Sequence, residues 1–132
     1  MNYFLIDGRK YDVIVTAIEE SFNILYSENT GRTMARGARM VLDPLGCFIG
    51  HKITVQRKRG YEKEFDDLYD YVSRPRYDGL SVEIAHNQTT IKYDAYISNG
   101  TRPLQKITKD NVVKWGELQL NIVPMEAQVL PE

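Results

Sequence analysis

The residues that could hold a metal or move a proton are few. His51, His86 and the single Cys47 are the possible metal ligands. Cys47 and His51 lie four apart in a segment that reads as strand, and no third ligand stands at a spacing that zinc sites use. The expected outcome is one packed thiol and two half-exposed imidazoles, with no metal and no other cofactor. Nucleophilic catalysis has no frame either: "GxSxG" is absent, and neither histidine has a serine or cysteine placed to serve it. The carboxylates of "EKEFDDLYD" spread around a helix and read as a solvated face. "RTMARGAR" sets glycines beside arginines but lacks the Lys-Ser/Thr that closes a phosphate loop. No enzyme is expected.

Two chemistries of recognition remain. Arg32, Arg36, Arg39, Lys52, Arg57, Lys58 and Arg59 fall within one third of the chain and, on a shared face, would suit a small nucleic-acid-binding domain. Against this, Glu62, Glu64, Asp66, Asp67 and Asp70 follow at once, and the net charge is −1. The other chemistry is assembly. The stretch "NTGRTMARGARMVLDPLGCFIG" holds three arginines, Met34 and Met40, with no acid before Asp43. Arginine and methionine are enriched in protein–protein interfaces, and a long loop inside a small domain belongs to function or to disorder. Arg32, Met34, Arg36, Arg39 and Met40 are therefore the expected contacts to another subunit. The helix face around Glu62, Asp66 and Asp70 is the candidate acceptor.

The elements that position these residues follow from periodicity. "NYFLIDGRKYDVIV" reads as two short strands around Asp7-Gly8, a strong hairpin dipeptide. From Val13 to Ile18 both faces are apolar, which predicts a strand buried on both sides or packed between neighbouring molecules. Glu19-Glu20 interrupt the alternation before Phe22, Ile24 and Tyr26 resume it, which predicts a bulge near the two glutamates. Arg39–Leu42 reads as a strand, Asp43–Gly46 as a turn, and Ile53 and Val55 alternate with Lys52, Thr54 and Gln56. Tyr61, Phe65, Leu68 and Val72 form one helical stripe. Acids early in it suit the helix dipole, and Ser73-Arg74-Pro75 ends it.

After the helix, Val82 and Ile84 alternate with Glu83, Asn87-Gln88 reads as a turn, and Ile91, Tyr93, Ala95 and Ile97 form an alternating strand. "SNGTRPLQKITKDN" reads as a second loop, and Trp115–Val123 as the last strand. Pro124 and Pro131 oppose its continuation, so the tail is expected outside the core, loose or reaching a neighbour.

The order predicts a mainly β chain with one helix (α+β), an antiparallel β-sandwich or open barrel flanked by a single α-helix. Residues 1–123 form one domain, with a long loop at 27–39 and a helix at 61–73, and 124–132 form a C-terminal tail. With 42% hydrophobic and 27% charged residues among 132, the composition is that of one folded domain. The lone cysteine fits a reducing compartment. No secretory signal and no membrane-spanning run is read, so folding in a cytoplasm is expected.

Segments in a fixed order carry a resemblance: "NYFLIDGRKYDV", "ENTGRTMARGARM", "GCFIGHKITVQRK", "EFDDLYDYVSRP" and "VKWGELQLNIVPMEAQ". Over nearly the whole chain the sequence resembles small tail structural proteins of phages and prophages of Gram-positive bacteria. The segment "RGARMVLDPLG" departs from the shorter, more polar segment of that family. The resemblance implies a tail-tube-like fold in a structural virion protein, assembled in the host cytoplasm. It implies a ring, expected to be a hexamer, at the distal end of the tail as a distal-tail or baseplate-hub component, or as the main tail-tube subunit. The implied partners are copies of itself and neighbouring tail proteins, with DNA passing but not specifically bound.

Overall fold

Asp7 and Gly8 both take positive φ, 50° and 80°, and reverse the chain after β1 (Phe4–Ile6). A computed structural model describes residues 4–132, so the Asn2–Tyr3 end of the expected first strand lies outside the described residues. The expected two-strand hairpin stops at a single bridge between Ile6 and Arg9. Tyr11, 3% exposed, then turns into the core and draws the chain away. As a result β1 and β2 (Ile14–Tyr26) lie on opposite edges of one six-stranded sheet, ordered β1, β6 (Leu80–His86), β7 (Thr89–Thr101), β10 (Leu118–Pro124), β5 (Pro44–Gln56), β2.

β2 and β5 (Pro44–Gln56) pair antiparallel along their full length, from Ile14 opposite Gln56 to Tyr26 opposite Pro44. The bulge falls between Val15 and Ala17, a short way ahead of the two glutamates. Thr16 is the extra residue, and its hydroxyl donates to the Thr54 carbonyl at 3.1 Å, offsetting the broken ladder. β2 is not buried on both sides: it is an edge strand, largely exposed. The expected turn at Asp43–Gly46 is also absent. Pro44 opens β5, where a missing N–H costs nothing, and the reversal is the whole tip between the two strands. That tip holds a small ribbon of β3 (Gly31–Arg32) and β4 (Met40–Val41).

α1 (Glu62–Val72) lies on the core face of the sheet and buries Phe65, Leu68 and Val72. Tyr61 drops out of the predicted stripe. It is the N-cap residue, 47% exposed, with the Lys58 ammonium 4.8 Å from its ring centroid. Against the helix stand Ile53 and Val55 of β5, Val82 and Ile84 of β6 (Leu80–His86), and Tyr93 and Ala95 of β7 (Thr89–Thr101). Leu118, Leu120 and Ile122 of β10 (Leu118–Pro124) complete the core. Period-two alternation puts these on one face. Asn87, at φ 51°, makes the two-residue turn between β6 and β7.

The second expected loop is largely strand. β7 runs on to Thr101, and β8 (Leu104–Ile107) pairs with β9 (Val113–Trp115) as a separate ribbon. The last strand starts at Leu118, because Gly116 packs on Pro103 and donates its N–H to the Pro103 carbonyl at 2.6 Å.

The chain is thus mainly β with a single helix, and its sheets are antiparallel. The large sheet curls without closing: β1 and β2 do not pair, yet Glu20 of β2 reaches His86 of β6 at 2.7 Å. No helix among the described residues is long and apolar enough to cross a membrane. The tail is not loose. Pro124 does not stop the last strand: it ends β10 opposite Ala95 and is buried. The Cys47 N–H donates to the Val129 carbonyl at 2.8 Å, and Gln128 clamps Ile49, so the rest of the tail docks on β5 of its own domain.

Candidate assembly surface and a histidine–glutamate cluster

The β2–β5 hairpin outruns the rest of the sheet. β10 pairs with β5 only as far as His51, so the stretch from Gly50 back to Pro44 projects with β2 as an arm. The arm carries its own apolar surface. Phe22 is 72% exposed, and Ile24, Leu25 and Tyr26 are each exposed as well. On its β5 side the docked tail takes up the backbone groups of Cys47 and Ile49. On its β2 side Ser21–Tyr26 has no strand neighbour among the described residues.

All five predicted contact residues sit at the arm's tip and face solvent. Met34 is fully exposed, Met40 is 40% exposed, and Arg32, Arg36 and Arg39 are exposed too. The tip is held from within: the Thr33 N–H donates to the Arg39 carbonyl at 2.9 Å, and an Arg32 guanidinium nitrogen donates to the Ala38 carbonyl at 3.3 Å. At its base Thr30 and Ser27 bond Asp43.

The seven basic residues do not share a face. β5 separates Arg32, Arg36 and Arg39 from Arg57, Lys58 and Arg59. Its 13 residues span roughly 40 Å at about 3.3 Å per residue. The proposed acidic acceptor is also divided. Asp66 bonds Arg102 at 3.1 Å. The Arg102 guanidinium is stacked over Tyr69 at 3.6 Å and Trp115 at 4.4 Å, which ties α1 to the β8–β9 ribbon. The Glu62 carboxyl lies below its usual range through backbone hydrogen bonds at its own N–H and that of Gly60, with Arg57 and Lys114 nearby. Asp70 has no ion pair among the described residues. No ion pair joins the arm arginines to this face within one chain.

A cluster that no local spacing announces lies where the sheet curls. Glu20, His51, His86 and Tyr93 come from β2, β5, β6 and β7. One Glu20 carboxylate oxygen lies 3.0 Å from His51 Nε2 and 2.7 Å from His86 Nδ1, and His51 Nδ1 lies 2.7 Å from the Tyr93 hydroxyl. The protons can be assigned. A carboxylate only accepts, so His51 Nε2 carries a hydrogen; the bare Nδ1 of the neutral ring then accepts from Tyr93. Burial pushes His51 below the usual imidazole range, over the opposing pull of Glu20. Burial, with the Glu20 charge, pushes the Tyr93 phenol well up, so it stays a donor. For Glu20, burial raises the carboxyl, but the hydrogen bonds from His86 and His51 outweigh it, and the net is downward.

His51 is therefore fully packed and not half-exposed, while His86 remains partly exposed. No set of three or more His, Cys, Asp or Glu side chains among the described residues is arranged to hold a metal. The cluster is buried at His51 and Tyr93, opens to solvent at Glu20 and His86, and links four strands through side chains. The groove beside it, about 700 Å³, is lined by polar outer-face residues such as Glu19, Ser21, Asn23, Lys52 and Asn121. No protein-family model matches the chain, and no curated protein matches it.

Proposed function

We propose that the chain is a structural subunit of a bacteriophage or prophage tail. It joins copies of itself into a ring, hexameric by the resemblance, at or near the distal end of the tail tube as a distal-tail or hub-like component. The main tail-tube subunit is the second place for it within the same reading. The observation that carries the proposal is the projecting β2–β5 arm, with one strand edge unpaired and Phe22, Ile24, Leu25 and Tyr26 exposed along it. Edges of this kind add strands of another chain. A tip bearing Arg32, Met34, Arg36, Arg39 and Met40 suits the same use.

DNA passes through such a ring without being held by it. Arginine binds phosphate bidentately, and each neutralised phosphate adds to retention. Arginines repeated around a channel would retain DNA, so the tip points at neighbouring subunits. The division of basic residues between the two ends of β5 favours this over a nucleic-acid-binding module. Light scattering and electron microscopy of the purified protein over a concentration series test the reading. Rings, hexameric by mass, are expected. A monomer at every concentration, alone and with neighbouring tail proteins, would overturn it.

A further inference from the structure

The seam between β2 and the β6–β7 hairpin is crossed by side chains and not by backbone. β2 pairs with β5 on one side. Along Val15–Glu20 its other side faces Ala85, His86 and Asn87 across an open cleft of about 400 Å³. Glu20 spans the cleft, taking His86 from the far side and His51 from its own side through one carboxylate oxygen. His51 is fixed from behind by Tyr93.

We propose that Glu20, His51 and His86 form an acid-sensitive latch, which holds edge strand β2 against the β6–β7 hairpin and releases it as pH falls. The closed latch needs a neutral His51. A second proton must go on Nδ1, where Tyr93 already donates, and a buried hydroxyl would then lose its acceptor. The titratable groups facing His51 are Glu20 from β2, His86 from β6 and Tyr93 from β7; β10 sets Ile122 opposite it across the ladder and brings no charge. Glu19 and Lys52 belong to the opposite face of their strands.

The direction follows from linkage. His51 titrates lower in the closed state than in an open one, where the ring meets water. The closed state is therefore fully favoured above the ordinary imidazole value of about 6.5 and loses ground as pH falls below it. Glu20, also depressed when closed, adds the same tendency in a lower window, below its ordinary value of 4.5. Release uncovers Val15 and Ile18 together with unpaired backbone of β2.

Paired spin labels read the seam directly. They are placed at Glu19→Cys on β2 and Gln88→Cys on the hairpin, in a Cys47→Ala background. Between about pH 7.5 and pH 5.5 the longer-distance population should grow about tenfold, the factor for an open-state imidazole of ordinary pKa. His51→Gln accepts from Tyr93 and donates to Glu20 but does not titrate, and should abolish this growth. One unchanged distance at both pH values, or the same response in His51→Gln, overturns the latch. Should His51→Gln not fold, Tyr93→Phe serves. It frees Nδ1, so the His51 titration followed by NMR should move up and the acid response shrink; an unmoved titration also overturns the proposal.

Discussion

Gln128 and Ile49 bond each other as two strand residues would. The side-chain oxygen of Gln128 accepts the Ile49 N–H at 2.9 Å, and its amide nitrogen donates to the Ile49 carbonyl at 2.8 Å. One residue of the tail thus replaces a strand partner where β10 has ended. Gly46 makes the approach possible: any side chain there would place its Cβ 2.5 Å from that of Ala127. The arm is sealed on its β5 side and open on its β2 side, which gives it a direction.

Removing the clamp should loosen the tail and leave the core intact. Gln128→Ala strands a half-buried backbone donor and acceptor, each costing about 1–3 kcal/mol where water cannot replace the partner. The expected result is faster proteolytic loss of the segment after Pro124 and a lower urea midpoint. Unchanged cleavage in the variant would show that the clamp does not hold the tail.

The helix makes a sharper test of core packing. Phe65 is completely buried, so Phe65→Ala should cost about 3–5 kcal/mol. Tyr61, one turn earlier on the same periodic stripe, is exposed, so Tyr61→Ala should stay within about 0.5 kcal/mol. Chemical denaturation of the pair measures both, and equal losses would refute the helix placement.

That contrast also marks what periodicity can carry. Phe65, Leu68 and Val72 were legible because a 3.6-residue repeat is local, and Asn87-Gln88 because turn chemistry is local. The route of the strands was not. Asp7-Gly8 predicts a hairpin, and the turn forms, yet β1 pairs with β6 because Tyr11 is drawn into a core assembled from distant segments. Asp43–Gly46 has turn composition, but pairing with Leu25 and Tyr26 and docking of Ala127 hold it extended. The Glu20 cluster was invisible for the same reason. Its two histidines stand 31 and 66 residues from Glu20, and only the curl of the sheet joins them.

Arg102 should prove irreplaceable by lysine. Its guanidinium carbon sits over the rings of both Tyr69 and Trp115 while one of its nitrogens reaches Asp66, a set of contacts that a point ammonium does not reproduce. Arg102→Lys and Arg102→Ala are both expected to shift Trp115 fluorescence and to destabilise the ribbon–helix junction, by roughly 1–3 kcal/mol for alanine. Full retention of stability and spectrum by the lysine variant would show that charge alone suffices.

The assembly arm yields the last prediction, which rests on the tail-subunit reading. Phe22 is 72% exposed in the single chain, so Phe22→Asp should leave monomer stability within about 0.5 kcal/mol. Deleting Thr33–Gly37 shortens a tip that touches no core residue and should be equally mild. Both should abolish ring formation, the first by placing a charge on the apolar flank of the β2 edge, the second by removing Met34 and Arg36. Arg36→Glu should impair it by charge reversal. A compensating acid-to-arginine change restores assembly only if the acid is the true partner. Asp70 is the first choice because it has no ion pair of its own, whereas Asp66 already serves Arg102. Light scattering reads the result. If Arg36→Glu assembles normally and only DNA passage changes, the tip lies in the lumen and the arm reading fails.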